Sequence, residues 1–198
     1  MATIGDAFDV ALVLDAVNVM EFDFIERINE AFNKGYKVVQ GHRMAKNTNT
    51  PMAILDAISE EVNNHIFRKG HRVLGFSSAL IGSGMAFDYH FFKSTMAEVN
   101  AVGGFDKELE LKLLRDRNQI EYLHDALVLD EKVQKSEVFA NQRKRWLSAQ
   151  FVYFRRFAIS GLRELVFRGN VDFADKVYQM VSPPRILLLG IVAMITGF

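Results

Sequence analysis

The stretch FDVALVLDA, residues 8–16, is a short apolar run that ends in an acidic side chain, Asp15. Such a run predicts a buried β-strand, with Asp15 at its carboxyl end. Open α/β sheets bind their ligands at that end of their strands. An Asp in this position usually caps a helix or a turn, but it can also coordinate a divalent ion that bridges a diphosphate. Both interpretations stay open from this stretch alone.

The residues that follow alternate between helical and extended patterns. Residues 22–35 carry apolar side chains at helical spacing and end at Gly35, and residues 36–44 predict a second strand. Residues 50–70 predict a long amphipathic helix, with Thr50 as its N-cap, Pro51 in its first turn and Gly70 as its end.

The second half of the chain continues the alternation and then becomes helical. The predicted elements are short strands around a glycine-rich turn in 71–87, a helix over 105–117 with Asp106 as N-cap, one bent strand or a strand pair in 119–133, and helices over 136–168 and 170–181. Strands alternating with helices predict the α/β class. The only candidate domain boundary lies near Ser136, where the pattern turns helical.

Composition excludes several classes of function. The 198 residues suffice for one domain with a core, and 24 basic residues balance 24 acidic ones, so nothing indicates a nucleic-acid partner. The absence of cysteine excludes disulfide scaffolds and thiolate metal sites.

The C-terminal segment, residues 186–198, is almost entirely apolar. It is shorter than the roughly 20 residues that a membrane-spanning helix needs. It is therefore a buried terminal helix, an interfacial anchor or the opening of a transmembrane helix, and the sequence leaves these three alternatives open.

Two short motifs each have an ordinary and a functional interpretation. Gly82, Ser83 and Gly84 form either a tight turn or a backbone that passes close to a ligand. Glu108 and Glu110 stand near a predicted helix start, where the helix dipole stabilises acidic residues, but a carboxylate there can also serve as a general base.

The segment QRKRW, residues 142–146, places Gln142, Arg145 and Trp146 on one side of a predicted helix. Arg and Gln can hold phosphate oxygens, and an indole can stack on a sugar ring. Alternatively, the Trp and the cations can lie at a lipid headgroup layer. The residues alone favour neither interpretation.

Taken in order, these motifs resemble one family. A strand ending in Asp, then GSGMAF, GGFDKELEL, QRKRW and PPRILLL resembles the processive family 2 glycosyltransferases, inverting enzymes related to cellulose, hyaluronan and poly-N-acetylglucosamine synthases. The Q-x-x-R-W element is the most specific part, and the resemblance runs from about Phe8 to Leu189. It implies a partial GT-A fold, a mixed sheet flanked by helices, with C-terminal interfacial helices.

The resemblance also implies an activity and a role for each motif. The activity would be transfer of a sugar from a UDP-sugar to a polysaccharide or glycan acceptor, with Mg²⁺ or Mn²⁺ as cofactor. Glu108 would be the base, Asp15 the first residue of the metal-binding D-x-D element, and Gln142 and Arg145 the diphosphate ligands. The acceptor would contact Trp146 and the turn formed by Gly82, Ser83 and Gly84.

The resemblance further implies an arrangement of the chain. Residues 1–135 would form the catalytic part, residues 136–185 a helical acceptor and interface region, and residues 186–198 the start of a membrane segment. The catalytic part would then face the cytoplasm at the inner or plasma membrane.

Two departures from the family pattern qualify these expectations. Val17 stands where relatives have the second Asp of D-x-D, and valine has no lone pair for a metal. The strands that bind the nucleotide base in relatives would precede Met1, so we expect a missing segment or a partner chain, and an unpaired edge at residues 8–16 and 36–44. The alternative function is a catalytically impaired module that binds glycan or a membrane surface.

Overall fold

A computed structural model describes residues 7–99, 104–134, 136–182, 192 and 194–197. Five strands and seven α-helices alternate along these residues. The strands are β1 (Val10–Val13), β2 (Val19–Met20), β3 (Val38–Ala45), β4 (Met85–Asp88) and β5 (Glu121–Asp130). The helices are α1 (Phe24–Asn33), α2 (Pro51–Asn63), α3 (His71–Val73), α4 (Tyr89–Ala97), α5 (Phe105–Arg115), α6 (Ser136–Arg168) and α7 (Val171–Gln179), with a π-helical segment (Asn64–Gly70) joining α2 to α3.

The strands form one mixed sheet in the order β1-β4-β3-β5-β2. Strand β4 runs antiparallel to β1 and β3, whereas β3 and β5 are parallel. The predicted strand in residues 8–16 is confirmed as an edge strand that, among the described residues, pairs with β4 alone. An unpaired edge at residues 36–44 is wrong, because β3 lies in the centre of the sheet and pairs on both sides. The mixed sheet flanked by helices confirms the predicted α/β class and is consistent with a partial GT-A fold.

Each face of the sheet carries its own hydrophobic core, because side chains alternate along a strand. Val39 faces α1 and packs in a cluster with Phe24 and Ile28. Val38, its neighbour, faces the opposite side and joins a larger cluster built on β4 and α4–α7. Tyr153 from α6, fully buried, belongs to that larger cluster. Helix α6 therefore shares a core with the sheet, and the boundary proposed at residue 136 stays a prediction.

Strand β5 is one bent strand, which settles the alternative left open for residues 119–133. Its pairing with β3 shifts register between Gly41 and His42. A Cβ on Gly41 would lie 2.8 Å from the Phe24 ring and 3.0 Å from the Ala126 carbonyl oxygen. Only glycine lets the three elements approach so closely at the bend.

The predicted helix over residues 50–70 begins as expected but does not end at Gly70. The Thr50 hydroxyl accepts a hydrogen bond from the Ala53 amide at 3.2 Å, which confirms the N-cap. Gly70 keeps right-handed helical angles, and the helix ends at Gly75, which has φ +86°. The wider π-helical turn brings the His65 carbonyl oxygen within 3.0 Å of a Cβ on residue 70, so this glycine serves close approach rather than termination.

Two further details differ from the sequence-based expectation. In residues 71–87 only β4 forms a strand, because side chains accept hydrogen bonds from the backbone amides before it. The Leu80 amide donates to the Glu110 carboxylate and the Ile81 amide to the Gln40 side chain.

The N-cap of α5 is Gly104 rather than Asp106. Asp106 lies in the first turn, where the helix dipole favours a negative charge.

Helices α6 and α7 confirm the predicted helical patterns after residue 136. Most of the apolar segment 186–198, together with Pro183 and Pro184, lies outside the described residues. Within the residues that the structure describes, no helix is both long enough and apolar enough to cross a bilayer. The three alternatives for the tail therefore stay predictions.

Candidate active site

The carboxyl ends of β1, β3 and β5 meet at one edge of the sheet, because these three strands run in the same direction. Asp15 follows β1 there, in an exposed turn that Asn18 closes. The Asp15 amide donates to Asn18 Oδ1 at 2.9 Å, and Asn18 Nδ2 donates to Asp130 Oδ1 at 2.9 Å. Asn18 thus ties the turn after β1 to the end of β5. Asp15 lies where the sequence predicted it, with both interpretations of its role still possible.

Four charged residues form a compact group directly behind this edge, here called the edge cluster: Arg43, Glu60, Asp130 and Lys132. Arg43 Nε lies 2.8 Å from Glu60 Oε1 and 3.6 Å from Asp130 Oδ2. The Lys132 ammonium lies 3.1 Å from Asp130 Oδ2 and also contacts Glu60 Oε2. Two carboxylates from separate elements therefore converge on one ammonium.

The electrostatics of the edge cluster reflect strong mutual pairing. Burial disfavours the charged form of Arg43. The attraction of Glu60 and Asp130 outweighs this effect and holds the pKa of the guanidinium above its usual value. Burial likewise works against the Glu60 charge, yet Arg43 and Lys132 hold its pKa below the usual value. Both groups therefore stay ionised across the physiological range.

Arg68 lies beside the edge cluster and is less well satisfied. Burial lowers the pKa of its guanidinium to about 10. One of its terminal nitrogens donates to Asn64 Oδ1, whereas its buried Nε has no hydrogen-bond partner among the described residues. Arg68 thus contributes a third buried cation, which no carboxylate of the described residues contacts directly.

The glycine-rich turn is confirmed as a turn with left-handed backbone at both glycines. Gly82 has φ +84° and Gly84 has φ +65°, which glycine adopts without strain. Ser83 between them is fully buried, and its hydroxyl accepts from Arg43 at 3.3 Å while its carbonyl accepts from the Gln40 side chain. Of the three turn residues predicted to contact an acceptor, Ser83 thus faces the protein interior. The turn lies over the edge cluster.

Helix α5 begins next to this turn, with Asp106 near Gly82, and it carries both candidate carboxylates. Glu108 is almost fully buried, and Arg156 of α6 lies 3.3 Å from its Oε2 atom. Glu110 is also buried and pairs with Lys176 at 2.6 Å, and with Lys107. Burial disfavours the Glu110 charge, but Lys107 and Lys176 outweigh it and lower the pKa of the carboxyl. Glu110 is therefore a structural ion-pair partner, and Glu108, the base that the resemblance implies, is likewise buried in an ion pair.

The QRKRW segment lies in the second and third turns of α6. The Arg143 guanidinium lies 5.3 Å from the centroid of the Trp146 ring and 3.1 Å from Asp56 of α2. Gln142 and Arg145 make no hydrogen bond or ion pair to the part of the chain that the structure describes, and Arg145 is exposed. Arg145 precedes Arg156 by eleven residues, about 16 Å along the helix axis, so this segment and Glu108 are not in contact.

Few donor atoms at this edge are free for a divalent ion. Mg²⁺ is usually held by one or two protein carboxylates together with waters and substrate phosphates, and exposed Asp15 supplies one such carboxylate. Val17 offers none, and each carboxylate oxygen of Glu60 and Asp130 already accepts from a cation or from Asn18. Among the described residues no three His, Asp or Glu side chains group as metal ligands. The expected Mg²⁺ or Mn²⁺ remains a prediction.

Sequence reasoning missed the edge cluster entirely. Lys132 and Glu60 are 72 residues apart, and each stands in a segment whose charges look like an ordinary solvated surface. The one available signal is that Arg43 and Asp130 stand at the carboxyl ends of strands, where Asp15 also stands.

A family model described as glycosyltransferase like family 2 matches residues 2–149, about three quarters of the chain. The match includes Asp15, the glycine-rich turn, Glu108 and the QRKRW segment. No curated protein matches the chain significantly.

Proposed function

The chain belongs to the family 2 glycosyltransferases, and from this premise we propose that it transfers a sugar from a UDP-sugar to a polysaccharide or glycan acceptor with inversion. The observation that carries the proposal is the meeting of three elements at one sheet edge. The turn at Asp15, the turn at Gly82–Gly84 and the first turn of α5, where Asp106 lies close to Gly82, all lie there.

In the proposed reaction Glu108 is the general base. Its carboxylate takes the proton of an acceptor hydroxyl, whose oxygen attacks the anomeric carbon from the face opposite the leaving diphosphate. Arg156 covers the carboxylate, and its own side chain is 43% exposed. Because Glu108 is almost fully buried, an acceptor reaches it only when the side chains around the carboxylate, Arg156 among them, move aside.

Donor and acceptor contacts are assigned to the exposed side chains of the QRKRW segment. Arg145, which is exposed, can grip the donor diphosphate through two nitrogens, with Gln142 beside it. Trp146, 44% exposed, presents an indole on which an acceptor sugar can stack. Because this segment is the element that resembles processive relatives, we assign the chain to that subclass.

The test is a UDP-sugar turnover assay on the full chain and on Glu108→Gln. Loss of a general base typically lowers turnover by about 10²- to 10⁴-fold, and we expect a loss in that range. Glu137→Gln, at an exposed position in the first turn of α6, is the matched control and should retain activity. Equal turnover by Glu108→Gln and the control would remove Glu108 from the base role.

A second candidate function is docking on a membrane surface, and it rests on α6. This helix carries seven basic and two acidic residues. It also exposes an apolar row at helical spacing, here called the outer stripe: Leu147, Phe151, Ile159, Leu162 and Val166. Apolar side chains flanked by cations suit a surface of anionic lipid. This docking would hold the catalytic part at the cytoplasmic face of the inner or plasma membrane.

A further inference from the structure

The carboxylates at the donor edge are bound by internal cations. Lys132 is almost fully buried, with its ammonium between Asp130 Oδ2 and Glu60 Oε2. The other two oxygens of these carboxylates accept from Arg43 and Asn18. A lysine ammonium therefore occupies the point where two carboxylates from different elements converge, which is an arrangement that otherwise suits a metal ion.

The charge balance behind the edge also disfavours a divalent cation. Arg43, Arg68 and Lys132 supply three positive charges, and Glu60 and Asp130 supply two negative ones, so these largely buried groups carry a net charge of +1. Charges interact more strongly across the protein interior than through water. These buried groups repel a divalent ion beside exposed Asp15 and attract a diphosphate, and the charge of Asp15, which also interacts with Arg43, acts in the opposite sense.

We infer that the chain binds its nucleotide diphosphate donor without a divalent metal, because Lys132 and Arg43 supply the positive charge at the sheet edge. This inference rests on the proposed function, since it concerns how the same donor is held. The diphosphate contacts Arg145 directly, and the edge cluster acts through its field from behind the turn at Asp15. The lack of a carboxylate at Val17 then does not impair donor binding, because no metal binds at that position.

The first experiment is calorimetric titration of UDP into the full chain, in EDTA and in Mn²⁺. We expect dissociation constants that agree within about twofold, because metal adds nothing to the site. A dissociation constant at least tenfold lower in Mn²⁺ would overturn the inference and leave the proposed function intact. Absence of UDP binding under both conditions would overturn the proposed donor as well, so the two failures are distinguishable.

The second experiment removes the internal ammonium by Lys132→Met. In EDTA we expect UDP affinity to fall at least tenfold, and Mn²⁺ should restore part of it because the freed oxygens of Asp130 and Glu60 can then ligate the ion. Lys112→Met is the matched control, since Lys112 is a partly buried lysine paired with Glu98 at 3.5 Å near the far end of α5. Unchanged UDP affinity in folded Lys132→Met would contradict the inference.

A measurement on the unmodified chain covers the case in which Lys132→Met does not fold. Substoichiometric Mn²⁺ is added without nucleotide, and the backbone amide resonances are followed by NMR. We expect the amides of Asp15, Asn18 and Asp130 to stay as sharp as those of the rest of the chain. Selective broadening of these three amides would place a metal site at the edge and overturn the inference.

Discussion

Val17 is the side chain that separates this chain from a metal-binding D-x-D element. It stands two residues after Asp15, in the same turn, and is 49% exposed. We expect Val17→Asp to create measurable Mn²⁺ affinity, because two carboxylates in one turn can share an ion. An exposed substitution of this kind should change the free energy of unfolding by no more than about 0.5 kcal/mol. Water-proton relaxation during a Mn²⁺ titration measures the new site.

The control for this substitution is Val138→Asp, at a valine of similar exposure in the first turn of α6. It adds the same charge away from Asp15 and should bind no more Mn²⁺ than the unmodified chain. If Val17→Asp also binds none, residue 17 does not face the Asp15 carboxylate, and the D-x-D comparison fails for this turn.

The individual site residues differ in how far the sequence could predict them. Asp15 could be placed because an apolar run followed by an acid has a local signature. Glu108 could be placed at a helix start because the helical pattern of residues 105–117 is also local. Its near-complete burial beside Arg156 could not be predicted. Lys132 and Glu60 could not be paired, because a contact between distant segments depends on the register of β3 against β5, which leaves no trace in either segment.

The junction between α3 and α7 is held by His71. Its Nε2 atom lies 3.2 Å from Asp175 Oδ2, its Nδ1 atom lies 3.0 Å from the Ile66 carbonyl oxygen, and its ring stacks on Phe67. The hydrogen bond to Asp175 raises the pKa of His71, although burial and Lys176 oppose the shift. The pair of protonated His71 with Asp175 stabilises the folded state below the unfolded-state pKa of histidine, about 6.5. This stabilisation is lost as pH rises through the higher folded-state pKa.

We therefore expect His71→Gln to cost more stability at pH 5.5 than at pH 8.5. The difference should stay below about 1 kcal/mol, because the pair is partly solvated. Urea unfolding of both proteins at the two pH values measures it. The same cycle in an Asp175→Asn background is the control, and there the pH dependence of the His71→Gln effect should vanish. A cost that rises with pH would contradict a raised pKa for His71 in the folded state.

Elements with a regular period were predictable, and elements set by distant partners were not. Helix α1 and strand β3 show a helical period and an extended apolar run, respectively, and both formed as expected. Strand β2 has only two residues and exists because Val19 and Met20 pair with β5. Residues 77–81 look like a strand, but the Leu80 and Ile81 amides donate to the Glu110 and Gln40 side chains instead. A buried side chain from another element overrode the local preference there.

The molecule as a whole exposes apolar side chains on several helices, and those of α6 are accompanied by basic residues. One side of α6 buries Tyr153 and Phe157 in the core, while the outer stripe on its other side faces solvent, with Ile159 83% exposed. Exposed apolar surface of this extent marks an interaction site. The basic residues of the same helix favour an anionic partner, and a lipid surface satisfies both features at once.

Sedimentation with vesicles measures this docking directly. We expect more of the chain to sediment with anionic vesicles than with neutral ones, because both apolar burial and charge contribute. Replacing both Ile159 and Leu162 by Ser should weaken vesicle binding by at least about tenfold, since each buried aliphatic side chain contributes about 1.5–3 kcal/mol.

The matched control replaces both Phe22 and Ile25 by Ser. These are two exposed apolar residues at the start of α1, and the control should bind vesicles as the unmodified chain does. Equal binding by both double variants would mean that the outer stripe does not face lipid, and that α6 exposes it for a protein partner instead.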